Sequence, residues 1–144
     1  YSRDLVEPLA QVLSNLGVTR GMAVCGGDGL DEATLTGPTH VCEIRFGELT
    51  SYEITPEELG LTPCRPEDLV GGTPEENAEI TKAIVNGTEK GPKRQAVCMN
   101  AGAALYIAGK AASIEAGVKM AEQLIDSGAA LKKLEEFIQK SNQE

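Results

Sequence analysis

The sequence predicts an α/β fold in which a few-stranded partial sheet, containing a hairpin, is packed by about five helices. Residues 20–25 form a short apolar segment that runs into a glycine-rich turn, which is typical of a strand before a tight loop. Residues 40–54 alternate in polarity around a glycine turn, which predicts a hairpin. The second half of the chain repeats apolar residues at helical spacing between recognisable caps.

The first helix is predicted over residues 2–16, with Ser2 as its N-cap and Gly17 just beyond its end. A buried strand follows over residues 20–25. The hairpin pairs residues 40–46 with residues 49–54, and Gly47-Glu48 is expected to form its turn.

Four helices are predicted after the hairpin. Thr73 and Glu76 form a capping box for the first of them, which should end near Asn86-Gly87. The next helix, at residues 93–110, is rich in Ala and Gly, so another backbone element should pack very close to it. The last two are expected at residues 113–128 and from Leu131 onward, with fraying over residues 141–144.

Three strands are fewer than the roughly five of an average sheet. Missing strands would leave an unpaired edge, which favours an incomplete domain or a partner that completes the sheet. Self-association of the chain, for example as a homodimer, is therefore one expectation. The first residue is Tyr1 rather than Met, which suggests a chain cut from something longer.

Charge and composition exclude several classes of protein. The formal net charge is −9 and no Lys/Arg run occurs, so nucleic acid is not an expected partner. No apolar run approaches the ~18 residues of a membrane helix. The four cysteines form no C-x-x-C pair, which argues against zinc and favours reduced thiols in a cytoplasmic protein.

The most informative stretch is residues 24–32, where a strand ends, glycines follow, and Asp31 and Glu32 stand side by side. Ligands of open α/β sheets bind at the carboxyl ends of strands. Two carboxylates suit Mg²⁺, which prefers one or two of them together with waters and substrate phosphates. The alternative is an acidic surface turn without a ligand.

Three other residues have structural interpretations. His40 is the single histidine and is expected at a surface or edge position. Cys25 is expected to be a buried, inert thiol, because no basic residue or helix start beside it would lower its pKa. Asn100, in the small-residue helix, is expected to organise backbone through hydrogen bonds.

Several segments together resemble the anthranilate phosphoribosyltransferase family. The resemblance covers essentially all of residues 1–144 in the right order, and it is carried by residues 1–6, 25–32, 36–39, 69–78, 100–106 and 125–130.

The resemblance implies the C-terminal portion of a large α/β domain, of the kind shared by these transferases and nucleoside phosphorylases. That family joins anthranilate to phosphoribosyl pyrophosphate in tryptophan biosynthesis, with loss of pyrophosphate and with Mg²⁺. Its adjacent acidic pair binds metal, which maps to Asp31 and Glu32. We therefore expect these two residues to be metal ligands.

The sequence also departs from the family pattern. A histidine is common where Cys25 stands, which puts in doubt any hydrogen bond made there. The family's helical domain, pyrophosphate loop, lysine/asparagine segment and substrate-orienting arginine are not found in residues 1–144. Positioning of substrate can be worth ~7–11 kcal/mol, so the chain alone is expected to be inactive. A fragment of a pyrimidine nucleoside phosphorylase-like enzyme and a non-catalytic binding module are the alternatives.

Overall fold

The computed structural model describes residues 2–142, which form three strands and five α-helices. The order of helix, strand, hairpin and four helices confirms the expected α/β class. The elements are α1 (Val6–Asn15), β1 (Arg20–Gly26), β2 (Thr39–Arg45), β3 (Glu48–Ile54), α2 (Pro74–Val85), α3 (Pro92–Ile107), α4 (Ile114–Asp126) and α5 (Ala129–Ser141). Short 3₁₀ turns occur at Arg3–Leu5, Glu57–Leu59 and Pro66–Leu69.

The sheet is an antiparallel meander with the order β1-β2-β3. Arg45 pairs with Glu48, so the hairpin turn consists of Phe46 and Gly47, at φ of 51° and 89°. Positive φ at both central residues is the geometry that matches the twist of paired strands. The expected turn at Gly47-Glu48 is therefore wrong by one residue, because Phe46 adopts a conformation that its residue type does not signal.

The central strand β2 is buried on both faces. On one face Cys42 and Ile44 pack against Val6 and Ala10 of α1. On the other face Val41 belongs to the main core with residues of α3 and α4. The sheet is thus the middle layer between α1 and the pair α3/α4.

Helices α3 and α4 approach each other at two glycines, as the small-residue composition predicts. A Cβ atom on Gly117 would lie 2.2 Å from the carbonyl oxygen of Gly102. A Cβ atom on Gly102 would lie 2.5 Å from the backbone nitrogen of Val118. Both are far inside van der Waals contact, so any side chain here would force the helices apart.

The end of α3 differs from the sequence expectation by three residues. The helix ends at Ile107 rather than Lys110, because Gly109 takes a left-handed conformation with φ of 68°. The Gly109 N–H donates to Tyr106 O and the Lys110 N–H donates to Leu105 O, both at 2.9 Å. These two bonds form a Schellman cap, which satisfies the carbonyls of the last turn.

A buried carboxylate joins the sheet to α3. Glu43 of β2 accepts hydrogen bonds from the hydroxyls of Tyr52 and Tyr106, each at 3.0 Å to one of its oxygens. Arg20 lies 3.6 Å from the same carboxylate and stacks over the Tyr106 ring at 5.1 Å. Burial, and then the Glu43 charge, raise the pKa of Tyr52, so the hydroxyl stays protonated and remains a donor.

The predicted Ser2 N-cap is wrong: a 3₁₀ turn occupies Arg3–Leu5, α1 begins at Val6, and the Ser2 side chain makes no capping hydrogen bond. Pro8 lacks a backbone N–H and is tolerated in the first turn of a helix, which favours this later start.

The predicted capping box of α2 is confirmed. The Thr73 hydroxyl accepts from the Glu76 N–H, and the Glu76 carboxylate accepts from the Thr73 N–H at 2.7 Å. Gln143 and Glu144, expected to be frayed, lie outside the described residues. None of the helices within residues 2–142 combines the length and the hydropathy needed to cross a bilayer.

We predict that Gly117→Ala lowers the free energy of unfolding by about 1–3 kcal/mol, because its methyl group would meet the backbone of α3. Urea unfolding followed by circular dichroism measures this. Gly37→Ala is the matched control, since a Cβ there has no atom within 4 Å and the φ is not positive. Equal stability of the two variants would show that α3 and α4 can separate at little energetic cost.

Candidate functional site

A groove of about 890 Å³ opens between α2, α3, the loop after β1 and the loop that precedes α2. Its polar lining comes from Asp28, Glu32, Lys93 and Asn100, among other residues. The walls are largely apolar and include Leu30, Leu69, Val70, Ile80, Ile84 and Val97. An apolar cleft with a few convergent polar groups is the common form of a small-molecule site.

The loop after β1 begins with a tight glycine turn, as predicted. The Gly29 N–H donates to Gly26 O, and the Gly26 N–H donates to Leu30 O, both at 2.9 Å. The Gly27 N–H donates to Pro38 O at 2.8 Å, and a Cβ on Gly27 would lie 2.9 Å from that oxygen. Glycine is therefore required where the two ends of the loop meet, at the carboxyl end of β1 and the start of β2.

Asp28 is exposed, and its carboxylate holds the loop together by hydrogen bonds. Its carboxylate accepts hydrogen bonds from the Thr34 hydroxyl at 2.7 Å, from the Thr36 hydroxyl, and from the Leu30 N–H at 3.1 Å. Partial burial acts to raise the pKa of Asp28, but the bonds from Thr36 and Thr34 outweigh it, and the pKa lies below its usual value. Asp28 is thus an ionised structural acceptor, a use that the sequence analysis missed.

Asp31 and Glu32 are exposed on the bend that follows this turn. Within residues 2–142 neither carboxylate has an ion pair or a hydrogen bond, in contrast to Asp28. Glu32 lines the groove, whereas Asp31 is not among the lining residues. Glu32 therefore presents a carboxylate without a basic partner to the groove, and Asp31 stands next to it in the chain.

Asn100 anchors the backbone immediately after the acidic pair. Its Oδ1 accepts from the Ala33 N–H at 2.9 Å, and its Nδ2 donates to Ala33 O at 2.9 Å. The same Nδ2 donates to Ala96 O at 3.1 Å, within α3. The expectation that Asn100 organises backbone is confirmed.

Lys93 brings a positive charge to the groove. Its Nζ donates to the carbonyl oxygen of Asp68 at 3.2 Å, which ties the first turn of α3 to the loop before α2. Among the residues that line the groove, Lys93 is the basic one. No motif in the sequence around Lys93 assigned it to a site.

Cys25 and His40 lie away from this groove. Cys25 is buried, as predicted, and packs with Val6 and Ala10 of α1 rather than lining the groove. His40 was expected at a surface or an edge, which is wrong, because β2 is the central strand and only 16% of the His40 side chain is exposed. Its Nδ1 lies 2.9 Å from Glu53 Oε1.

The carboxylates present fit a hard cation. Mg²⁺ is commonly held by one or two carboxylates, with waters and phosphate oxygens completing its octahedron. Asp31 and Glu32 are two adjacent exposed carboxylates that could supply the protein's share of such a site. Within the described part of the chain, no three His, Cys, Asp or Glu side chains converge as a closed metal cage.

The fold and the sequence together identify the class of protein. Residues 1–131 match the glycosyl transferase family, a/b domain, and the chain belongs to this family.

The similar proteins within this family are anthranilate phosphoribosyltransferases, which confirms the resemblance drawn from the residues. The chain is 56% identical over 142 residues to the enzyme of Methanobrevibacter smithii, covering 99% of this chain and 42% of that protein. It is 52% identical to the enzyme of Lachnoclostridium phytofermentans, with the same coverage. The chain thus spans about two fifths of the length of these relatives.

Solved structures agree with the sequence relatives. The anthranilate phosphoribosyltransferase of Thermus thermophilus superposes with a TM-score of 0.88 at 41% identity, over 96% of this chain and 40% of that chain. The Saccharomyces cerevisiae enzyme in complex with PRPP and Mg superposes with a TM-score of 0.87 at 27% identity, with the same coverage. These similarities confirm the predicted fold class.

We predict that Asp28→Asn lowers stability near neutral pH by about 0.5–1.5 kcal/mol and flattens the acid limb of the stability profile. Because its pKa is depressed on folding, ionised Asp28 stabilises the chain fully above its unfolded pKa, near 3.9, and loses this contribution as pH falls through the folded value. Urea unfolding across acid and neutral pH measures both effects. Asp31→Asn is the control on the same loop. Identical profiles of stability against pH for the two variants would contradict the role of Asp28 as an ionised hydrogen-bond acceptor.

Proposed function

We propose that this chain is the part of an anthranilate phosphoribosyltransferase that supplies Asp31 and Glu32 as ligands for Mg²⁺ beside phosphoribosyl pyrophosphate. The enzyme would transfer the phosphoribosyl group to anthranilate, a step of tryptophan biosynthesis. The observation that carries the proposal is the 56% identity over 142 residues with a protein of that name. The complex of the yeast relative with PRPP and Mg supports the substrate and the metal.

The charges of the site favour a cation between the loop and the substrate. Phosphoribosyl pyrophosphate is strongly anionic, so Asp31 and Glu32 would repel it if they faced it directly. Neither carboxylate has a basic partner within residues 2–142, and the groove beside them has Lys93 as its one basic lining residue. A divalent cation bound to the pair would reverse this repulsion into attraction.

In the proposed reaction the anthranilate nitrogen bonds to C1 of the ribose and the bond from C1 to the pyrophosphate oxygen breaks. The amine loses a proton, and pyrophosphate leaves with the bonding electrons. Mg²⁺, when bound, supplies charge neutralisation to the departing pyrophosphate. The contribution of this chain is positional: the Gly26–Leu30 turn and the Asn100 anchor hold the two carboxylates on a short, braced segment.

The apolar wall of the groove fits a reaction that benefits from the exclusion of water. Residues from α2, α3 and the loop before α2 line it with aliphatic side chains. Removing water beside the reacting groups strengthens electrostatic interactions there. The groove therefore supports a substrate-facing position for this side of the chain.

We predict that the chain alone shows no loss of anthranilate fluorescence with phosphoribosyl pyrophosphate and Mg²⁺. A fused enzyme, in which this chain follows the portion of the Methanobrevibacter smithii relative that precedes its matching segment, should be active. The reason is that the motifs that position substrate are not found in residues 1–144. Turnover by the unfused chain would overturn this part of the proposal.

We predict that Asp31→Asn and Glu32→Gln each lower kcat/KM of the fused enzyme by at least about tenfold and raise the Mg²⁺ concentration for half-maximal rate. Each change removes one anionic ligand while keeping the size of the side chain. Glu48→Gln on the exposed hairpin is the matched control, because it removes the same charge far from the groove. If all three variants respond alike to Mg²⁺, the acidic pair is not the metal site.

A further inference from the structure

We propose that Asn100 is a positioning residue for the acidic pair and thereby sets its affinity for a divalent cation. This inference rests on the proposed function, since it concerns the same site. Helix α3 contributes no acidic ligand. Under this proposal it nevertheless controls the geometry of the loop after β1.

The carboxamide of Asn100 forms hydrogen bonds with both backbone polar groups of Ala33. It accepts from the Ala33 N–H and donates to the Ala33 carbonyl, each at 2.9 Å. An amide side chain has both an acceptor oxygen and two N–H donors, and neither a carboxylate nor an aliphatic group can replace it. Its second donor is occupied by Ala96 O at 3.1 Å, which fixes the orientation of the amide.

Ala33 is the residue directly after Glu32, so holding its backbone restricts where the acidic pair can lie. Consecutive Cα atoms are about 3.8 Å apart. Glu32 can therefore move little while the N–H and the carbonyl of Ala33 are both bonded to Asn100. On the other side of the pair, Leu30 is bonded through its N–H and its carbonyl. Asp31 and Glu32 have no hydrogen bonds of their own within residues 2–142.

Asn100 stands in a closely packed part of α3. Asn100 stands two residues before Gly102, where α3 contacts the backbone of α4. Its neighbours Cys98 and Met99 are buried in the main core. The hydrogen bonds between Asn100 and Ala33, 67 residues apart, therefore tie the residue after the acidic pair to the closely packed helices α3 and α4.

Loss of this anchor should weaken cation binding without removing any ligand. Two carboxylates that chelate one ion must be held in register, and residues that orient metal ligands typically change metal affinity by about tenfold or more when they are substituted. Without Asn100, residues 31–33 would have to be ordered at the moment the cation binds. The entropic cost of that ordering would appear directly in the affinity.

The test compares Asn100→Ala with Gln95→Ala in the fused enzyme. Gln95 is the matched control, because it lies on the same helix and its Oε1 accepts from the Thr62 N–H at 3.0 Å in a different loop. Mn²⁺ binding in the presence of pyrophosphate is measured by electron paramagnetic resonance. Amide hydrogen exchange over residues 31–35 is measured on the chain itself.

We expect Asn100→Ala to weaken Mn²⁺ binding by about tenfold and to speed exchange at Ala33, while Gln95→Ala changes neither. The rate at saturating Mg²⁺ should fall much less than the affinity does. Unchanged Mn²⁺ affinity in Asn100→Ala would overturn the proposal, whatever happens to stability. Asn100→Ser, which keeps one polar group at this position, provides the same comparison if Asn100→Ala does not fold.

The outcome separates the two proposals. If Asp31→Asn weakens Mn²⁺ binding and Asn100→Ala does not, the positioning inference fails and the metal site stands. If Asp31→Asn leaves Mn²⁺ binding unchanged, the acidic pair is not the metal site and the proposed function loses its metal element.

Discussion

The contact between Gly102 and Gly117 is the constraint on which the rest of the structure depends. With no side chain on either residue, α3 and α4 meet backbone to backbone, so the position of α3 is set by main-chain packing. Two polar contacts of α3 follow from that position. Tyr106 reaches the buried carboxylate of β2, and Asn100 reaches the backbone of Ala33 in the loop after β1.

The loop after β1 uses its three carboxylates in two different ways. Asp28 is satisfied by hydroxyl and amide donors of the loop itself, which keep it ionised and hold the turn closed. Asp31 and Glu32 remain exposed and have no partners within residues 2–142. Acids separated by only a few residues thus have different electrostatic surroundings, because the loop supplies hydrogen-bond donors to Asp28 and none to the other two. One short segment can therefore contain both a carboxylate that stabilises the loop and two carboxylates that remain available to a metal ion.

Local signals in the sequence predicted much of the fold, and failures occurred where a local signal was weak or overridden. The Thr73 capping box and the Gly-rich start of the loop after β1 appeared as predicted, since both depend on residues close in sequence. The end of α3 was placed too late because Gly109 stands in a run of helix-compatible residues. The position of His40 was misjudged because the order of strands, which places β2 in the centre, is not a local property.

The sequence by itself determined the order of elements, most helix boundaries, the resemblance to a transferase family and the acidic pair as the candidate metal ligands. Those features reside in short motifs whose meaning depends on spacing along the chain. Only the tertiary structure decided that Asp28 binds the hydroxyls of its own loop, that Lys93 borders a groove and that Asn100 holds Ala33. The physical reason is that Asn100 and Lys93 contact residues 67 and 25 positions away, and no periodicity or composition of the sequence indicates such contacts. The Asp28 contacts are local, but they form only because the two ends of the loop meet at Gly27 and Pro38.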